Sequence, residues 1–140
     1  TKERNLVRDV GAERYTEFIT HDIPIEDYVN FANVVALPYP SLIATEGNPS
    51  CLLECMAAKT PVVTTNLPEL REIVSKEEVL MAIPNDPNSL AFEVLRVLKD
   101  KKLRESNIQN AYNIALSFDV TNICKDTIEL YNELLGKRRV

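Results

Sequence analysis

The sequence predicts an α/β fold, with a parallel sheet of about four strands, helices on both faces of the sheet and a helical layer at the C-terminal end. Two observations lead to this prediction. Short apolar runs alternate with stretches of helical character over the first two thirds of the chain, and the last third has apolar residues at helical spacing. With 140 residues and 45% apolar content, the chain suits one domain, which we assign to residues 1–140.

Four apolar runs are predicted as strands, and continuous runs of this kind are typical of parallel strands buried on both faces. They are residues 15–19, 34–37, 61–65 and 79–83. The third run is rich in β-branched residues, which favour strands. Helices are predicted between the strands, at residues 25–32, 49–58 and 68–74.

The last third of the chain is predicted as three helices. Asp86 followed by Pro87 is a strong helix start, because aspartate caps a helix N-terminus and proline fits its first turn. Apolar stripes at helical spacing mark the three helices, and they are Leu90, Val94 and Leu98; Ile108, Ala111 and Ala115; and Val120, Ile123, Thr127, Tyr131 and Leu134. We interpret these stripes as packing surfaces.

Charge and composition argue against several classes of protein. The net charge is -5, and the 16 basic residues are scattered, whereas a nucleic-acid-binding protein usually has a basic face. No apolar run approaches the roughly 20 residues that span a bilayer, and the N-terminus lacks a signal-peptide pattern. The basic cluster at residues 137–139 is interpreted as a solvated tail, with a contact to an anionic membrane surface as the alternative.

The cysteine and histidine content indicates a reduced protein without a metal. Cys51 and Cys55 lie one helical turn apart, where they are interpreted as small buried apolar residues. With Cys124 the number of cysteines is odd, and one histidine with these thiols is too few ligands for a zinc site. We predict a cytoplasmic protein with no metal and no bound cofactor; a peripheral position at the inner face of the membrane is the alternative.

Residues 38–58, which read PYPSLIATEGNPSCLLECMAA, carry the chemistry. A strand ends just before this segment, a polar loop follows, and a helix is predicted to begin at Pro49 with Asn48 as its N-cap. The amides of residues 50–52 then lack partners within the helix and point, with the positive end of the helix dipole, at a ligand above it. Such a helix N-terminus suits a phosphate or diphosphate.

Two glutamates flank the start of this helix. Glu46 precedes it, and Glu54 lies roughly 7–8 Å along the axis from Pro49. Ionised carboxylates accept hydrogen bonds from the hydroxyls of a vicinal diol, which sugars and ribose both offer, and Gly47 lets the backbone approach such a ligand. Two glutamates eight positions apart are common in acidic proteins, so these residues alone leave a sugar-nucleotide site as one interpretation. Glu54 is expected to point away from the main core.

The string EGNPSCLLECMAAKTPVVTTN resembles the signature of retaining glycosyltransferases of the GT-B fold, in particular glycosyltransferase family 4 (group 1). The resemblance extends over about residues 15–135. It implies the Rossmann-like, donor-binding C-terminal domain of an enzyme of polysaccharide or glycoconjugate biosynthesis. By this resemblance, transfer proceeds from UDP-, GDP- or ADP-sugars, with retention at the anomeric carbon and without a required metal.

The resemblance also implies roles for single residues. It assigns the donor sugar to Glu46, Gly47 and Asn48. It assigns the diphosphate to Ser50 and Cys51, and the ribose to Glu54. Neither glutamate need be a nucleophile. The implied mechanism stabilises the departing diphosphate and positions the substrates.

The sequence departs from the family pattern at several points. No residue matches the arginine and lysine that neutralise the diphosphate in the family, and no part of the chain matches the acceptor-binding domain. We therefore expect a partial domain that is inactive alone. Activity is expected to need an acceptor-binding domain or a partner chain. Two central strands are also unmatched, which is expected to bring the remaining strands together or to leave an open sheet edge. Lys59 stands where the family often has a left-handed glycine, so a different loop shape is an alternative there. Asn66, Leu67 and Pro68 replace a glycine pair, which argues against a close backbone approach to the ligand there.

Two other functions were weighed against a glycosyltransferase. A non-catalytic module would bind a sugar nucleotide without transferring the sugar. A receiver or flavodoxin-like domain is disfavoured, because we find neither the acidic set of receivers nor a Gly/Ser/Thr-rich phosphate loop. His21 and Glu72 are interpreted as structural or solvated, and either Tyr39 or Ser41 is expected to line the nucleotide pocket.

Overall fold

The computed structural model describes residues 1–42 and 49–137. In chain order the elements are α1 (Lys2–Asp9), a 3₁₀ turn (Glu13–Tyr15), α2 (Ile25–Phe31), β1 (Val35–Leu37), α3 (Ser50–Ala57), β2 (Val62–Thr65), a second 3₁₀ turn (Leu70–Glu72), β3 (Leu80–Ala82), α4 (Pro87–Lys99), α5 (Lys101–Ser117) and α6 (Val120–Lys137). The strands form a parallel sheet in the order β1-β2-β3. The predicted α/β class with a parallel sheet is therefore confirmed.

The central strand β2 separates two layers of the core. All of its residues are buried, and successive side chains point to opposite faces of the sheet. On one face Val62 belongs to a cluster with Leu52 of α3, and on the other Val63 packs with Val97 of α4. Helices therefore cover both faces of the sheet, as predicted.

Residues 15–19, predicted as a fourth strand, do not form one. Thr16 has an extended backbone, but no strand within the described part of the chain pairs with this segment. A strand is stabilised by hydrogen bonds to a neighbouring strand, whereas Phe18 lies beside α1, with its ring centroid 5.1 Å from the Arg4 guanidinium carbon. In residues 1–42 and 49–137, β1 pairs only with β2, so the open-edge alternative is the one observed.

The start of α4 is as predicted, but the face it buries is shifted. The Asp86 carboxylate accepts hydrogen bonds from the amides of Asn88 and Ser89 at 2.9 and 3.1 Å, and a proline is the first helical residue. Val97 is buried, whereas Leu98 is 40% exposed. The packed stripe therefore ends at Val97, because a step of three residues brings it back onto the face that meets the sheet.

Two other predicted elements differ from the structure. The apolar stripe of α6 is exposed rather than packed, and it includes Val120, Ile123, Tyr131 and Leu134. The predicted helix at residues 68–74 is a single 3₁₀ turn. This turn buries Leu70 completely, and the Val74 amide donates to the Leu70 carbonyl at 2.9 Å, after which the chain enters another turn.

Candidate functional site

The helix that carries the motif starts one residue later than predicted. α3 begins at Ser50, and Pro49 occupies the N-cap position with ψ of 116°. The Leu52 amide donates to the Pro49 carbonyl at 3.0 Å, so it is not free for a ligand. Pro49 is therefore the cap and not the first helical residue, and Asn48, predicted as the cap, lies outside the described residues.

Two backbone amides are left at the start of α3. Those of Ser50 and Cys51 donate to no acceptor among the described residues. Ser50 is exposed, and Cys51 is partly buried. Because α3 follows β1 in the chain, its N-terminus lies at the carboxyl edge of the sheet, where parallel α/β folds bind ligands. The described part of the predicted anion site therefore has two amides without a described acceptor, instead of the three predicted.

The structure does not describe the three residues assigned to the donor sugar, but it does describe Glu54, the residue assigned to the ribose. Glu46, Gly47 and Asn48 lie outside the described residues. Glu54 is exposed, as predicted, and it lines a groove of about 330 Å³ between α2 and α3. The other residues that line this α2–α3 groove are Ile25, Glu26, Val29, Asn30 and Ala58.

Tyr39 links the end of β1 to the first turn of α3. Its hydroxyl lies 2.9 Å from the Cys51 Sγ atom, at a distance where either group can donate. Its carbonyl accepts a hydrogen bond from the Thr65 hydroxyl at 2.7 Å, and its amide donates to the Leu37 carbonyl at 3.0 Å. The sequence left open whether Tyr39 or Ser41 lines the nucleotide pocket. Neither residue lines the α2–α3 groove, and Tyr39 contacts α3 through Cys51. Cys51 is a hydrogen-bonding partner rather than simply a small buried apolar residue.

Burial raises the pKa of two groups behind the start of α3, Tyr39 and Cys55. Desolvation, and then the hydrogen bond with Cys51, raises the pKa of the Tyr39 hydroxyl well above its ordinary value. Desolvation, and then the neighbouring Cys51, raises the pKa of the Cys55 thiol to about 11. Tyrosine and cysteine are ordinarily protonated at neutral pH and these shifts extend that range upwards, so neither side chain adds a negative charge that would oppose an anionic ligand at the amides.

Lys59, just after α3, has the left-handed backbone that the family comparison suggested. Its φ is 58°, so the alternative of a different loop shape is wrong. The Lys59 ammonium nitrogen lies 4.2 Å from the centroid of the Tyr112 ring, within the range of a cation–π contact. Lys59 therefore has a strained backbone, and its side chain makes a stabilising contact with Tyr112 that a glycine could not make.

The lesser candidates of the sequence do not join this site. His21 and Glu72 are exposed, and neither lines the α2–α3 groove. In the described part of the chain, no three His, Cys, Asp or Glu side chains lie close enough together to hold a metal ion. No helix in that part is long and apolar enough to cross a membrane.

Comparison with known proteins identifies the family. The family model described as "Glycosyl transferases group 1" matches residues 1–114. The chain belongs to this family. An uncharacterized glycosyltransferase of Methanocaldococcus jannaschii is 38% identical over 91 residues, covering 61% of this chain and 23% of that protein. O-antigen chain mannosyltransferase B of Escherichia coli is 32% identical over 114 residues, covering 80% of this chain and 29% of that protein.

Solved structures show where this group 1 fold recurs. A sucrose-phosphate synthase from Thermosynechococcus elongatus matches with a TM-score of 0.81 at 23% identity, over 97% of this chain and 34% of that one. The C-terminal domain of a glycosyl transferase group 1 family protein from Francisella tularensis matches with a TM-score of 0.66 at 24% identity, over 82% of this chain and 59% of that one. The chain spans less than a third of both curated relatives, and its fold is that of the C-terminal domain, which confirms the resemblance.

Proposed function

We propose that this chain is the donor-binding part of a glycosyltransferase, and that it binds an NDP-sugar for transfer with retention to an acceptor held by another domain or chain. The observation that carries the proposal is the start of α3. Two amides without described acceptors lie at the carboxyl edge of the sheet, about 4.5–6 Å along the helix axis from an exposed carboxylate, Glu54. This arrangement offers donors for a diphosphate beside an acceptor for a diol.

Each part of the ligand has a proposed partner. The diphosphate meets the amides of Ser50 and Cys51, where the helix dipole favours negative charge. The ribose hydroxyls donate to Glu54 at the mouth of the α2–α3 groove, whose apolar wall from Val29 is suited to the nucleoside. The donor sugar meets Glu46 with Gly47 and Asn48, which is the assignment that the family resemblance implies.

The proposed contribution of this chain to the reaction is electrostatic. As the bond from the sugar to the diphosphate breaks, negative charge grows on the phosphate oxygens. Preorganised amides aimed at that charge stabilise the transition state by roughly 3 kcal/mol for each donor, without the reorganisation that water would need. The protonated Tyr39 and Cys55 add no opposing charge. No step in this scheme uses a metal.

The test is a calorimetric titration with UDP, GDP, ADP and their sugars, including a mannose-bearing donor because one relative is a mannosyltransferase. One nucleotide series should bind, and Glu54→Ala should weaken it roughly 10- to 100-fold, the range for a lost hydrogen bond to a charged acceptor. Glu129→Ala is the matched control, since Glu129 is an exposed glutamate on α6. The proposal fails if nothing in the panel binds the wild-type chain, or if the two variants bind equally well.

Binding and transfer are separated by a second assay. The chain is mixed with the nucleotide sugar that it binds, in the presence of the acceptor-binding part of the protein, and release of the nucleoside diphosphate is followed. Release of the diphosphate together with a retained anomeric configuration in the product supports transfer. Binding with no release supports the alternative of a non-catalytic module.

A further inference from the structure

Tyr39 makes three contacts that converge on one point, the junction between the sheet edge and the site helix. Its amide and carbonyl are fixed to Leu37 and Thr65 on two neighbouring strands, at 3.0 and 2.7 Å. Its hydroxyl reaches across to Cys51, the second residue of α3, at 2.9 Å. The backbone of Tyr39 therefore belongs to the rigid end of the sheet, and its side chain holds the start of the helix.

The position of this contact makes it relevant to the ligand. Cys51 supplies one of the two amides proposed to meet the diphosphate, and Glu54 follows one turn later on the same helix. Any rotation or shift of the first turn of α3 moves both groups together.

We propose that Tyr39 is a positioning residue of the donor site, whose hydroxyl holds the first turn of α3 against the carboxyl end of β1 before the ligand arrives. This role rests on the proposed function, since it presumes that the amides of α3 bind a diphosphate. A tyrosine hydroxyl is protonated at neutral pH, so Tyr39 can donate to the Cys51 sulfur or accept from its thiol. Sulfur is a weak hydrogen-bonding atom, so the contact contributes little to the global fold.

The test uses the nucleoside diphosphate that binds the wild-type chain in the panel above. Tyr39→Phe and Cys51→Ala should each weaken binding roughly 3- to 10-fold, the range for one lost hydrogen bond, with a change in Tm of roughly 4 °C or less. The double variant should be no weaker than either single variant, because both remove the same contact. Cys51→Ser, which keeps a hydrogen-bonding group, should recover most of the affinity lost in Cys51→Ala.

A control and an independent readout complete the test. Tyr131→Phe removes a hydroxyl from the exposed face of α6 and should leave binding unchanged. In a Cys124→Ser background, Tyr39→Phe should also alter the rate at which Cys51 reacts with a thiol reagent, and bound nucleotide should slow that reaction. Additive effects of the two single variants, or wild-type affinity in Tyr39→Phe, would overturn the positioning role alone. Failure of every nucleotide to bind the wild type would overturn both this role and the proposed function.

Discussion

Replacement of Lys59 by glycine is predicted to give a more stable protein than replacement by alanine. The φ of Lys59 is 58°, and a side chain with a Cβ atom makes this conformation unfavourable by roughly 1–2 kcal/mol. Glycine removes that strain, but it has more conformational freedom in the unfolded chain, and this entropy lowers the free energy of unfolding by roughly 0.5–1 kcal/mol. The difference between the two variants should therefore be about 0.5–1 kcal/mol in favour of glycine.

The side chain of Lys59 adds an opposing effect. Its contact with the Tyr112 ring at 4.2 Å is expected to stabilise the fold by roughly 0.5–1 kcal/mol at an exposed site. Lys59→Ala loses this contact and keeps the strain, so it should be destabilised by about that amount. Lys59→Gly loses the contact and the strain together, so it should lie within about 0.5 kcal/mol of the wild type.

The measurement is urea unfolding of the wild type, Lys59→Ala and Lys59→Gly, followed by circular dichroism. The Tyr112→Leu background isolates the cation–π contact, because Lys59→Ala should be nearly neutral there. An alanine variant as stable as the glycine variant would refute the strain argument. An undiminished effect of Lys59→Ala in the Tyr112→Leu background would refute the assignment of the contact.

Two further predictions concern a helix cap and a buried thiol. Asp86→Ala should destabilise the fold by about 1 kcal/mol in thermal unfolding, because the amides at the start of α4 lose their acceptor. Asp86→Asn should keep most of the wild-type stability, because asparagine also caps a helix. Equal stability of the wild type and both variants would contradict the capping role. The pKa of the Cys55 thiol is raised from 9.0 to about 11 in the folded state. Above pH 9 the unfolded chain therefore loses this proton more readily than the folded protein, and the free energy of unfolding falls as the pH rises towards 11. At pH 10.5 the loss should be about 2 kcal/mol. Urea unfolding at pH 8 and 10.5 measures this loss. Cys55→Ala should remove it, whereas Cys124→Ala, which changes an exposed thiol, should retain it. The same fall in the free energy of unfolding in both variants would be evidence against the raised pKa of Cys55.

Features of the fold that depend on neighbouring residues in the chain could be predicted from the sequence. The cap of α4 requires an aspartate and a following proline, and both stand side by side at Asp86. The buried strand β2 is recognised by a short run of β-branched residues that would be unfavourable on a surface. The left-handed backbone of Lys59 follows the family pattern, which often has a glycine at this position, although the lysine itself suggested a different loop.

Features that depend on a distant partner could not be predicted in the same way. Residues 15–19 have the composition of a strand, but a strand exists only beside another strand, and none of the described strands lies next to this segment. The exposed stripe of α6 has the same origin, since a helical stripe specifies an apolar face and not the surface that covers it. α1 was missed because Leu6 and Val7 are its only apolar residues, which leaves too little apolar pattern to recognise.

The site divides along the same line. The exposure of Glu54 and the amides of Ser50 and Cys51 follow from one helix, so the sequence indicated them, although it placed the start of the helix one residue too early and counted the Leu52 amide with them. The contact between Tyr39 and Cys51 spans twelve positions and exists only because the end of β1 and the helix α3 pack into the same core cluster. A motif of a dozen residues can therefore indicate which groups are candidates for binding a ligand. The sequence offered Tyr39 only as an alternative to Ser41, and only the fold shows that its hydroxyl reaches Cys51 at the start of α3.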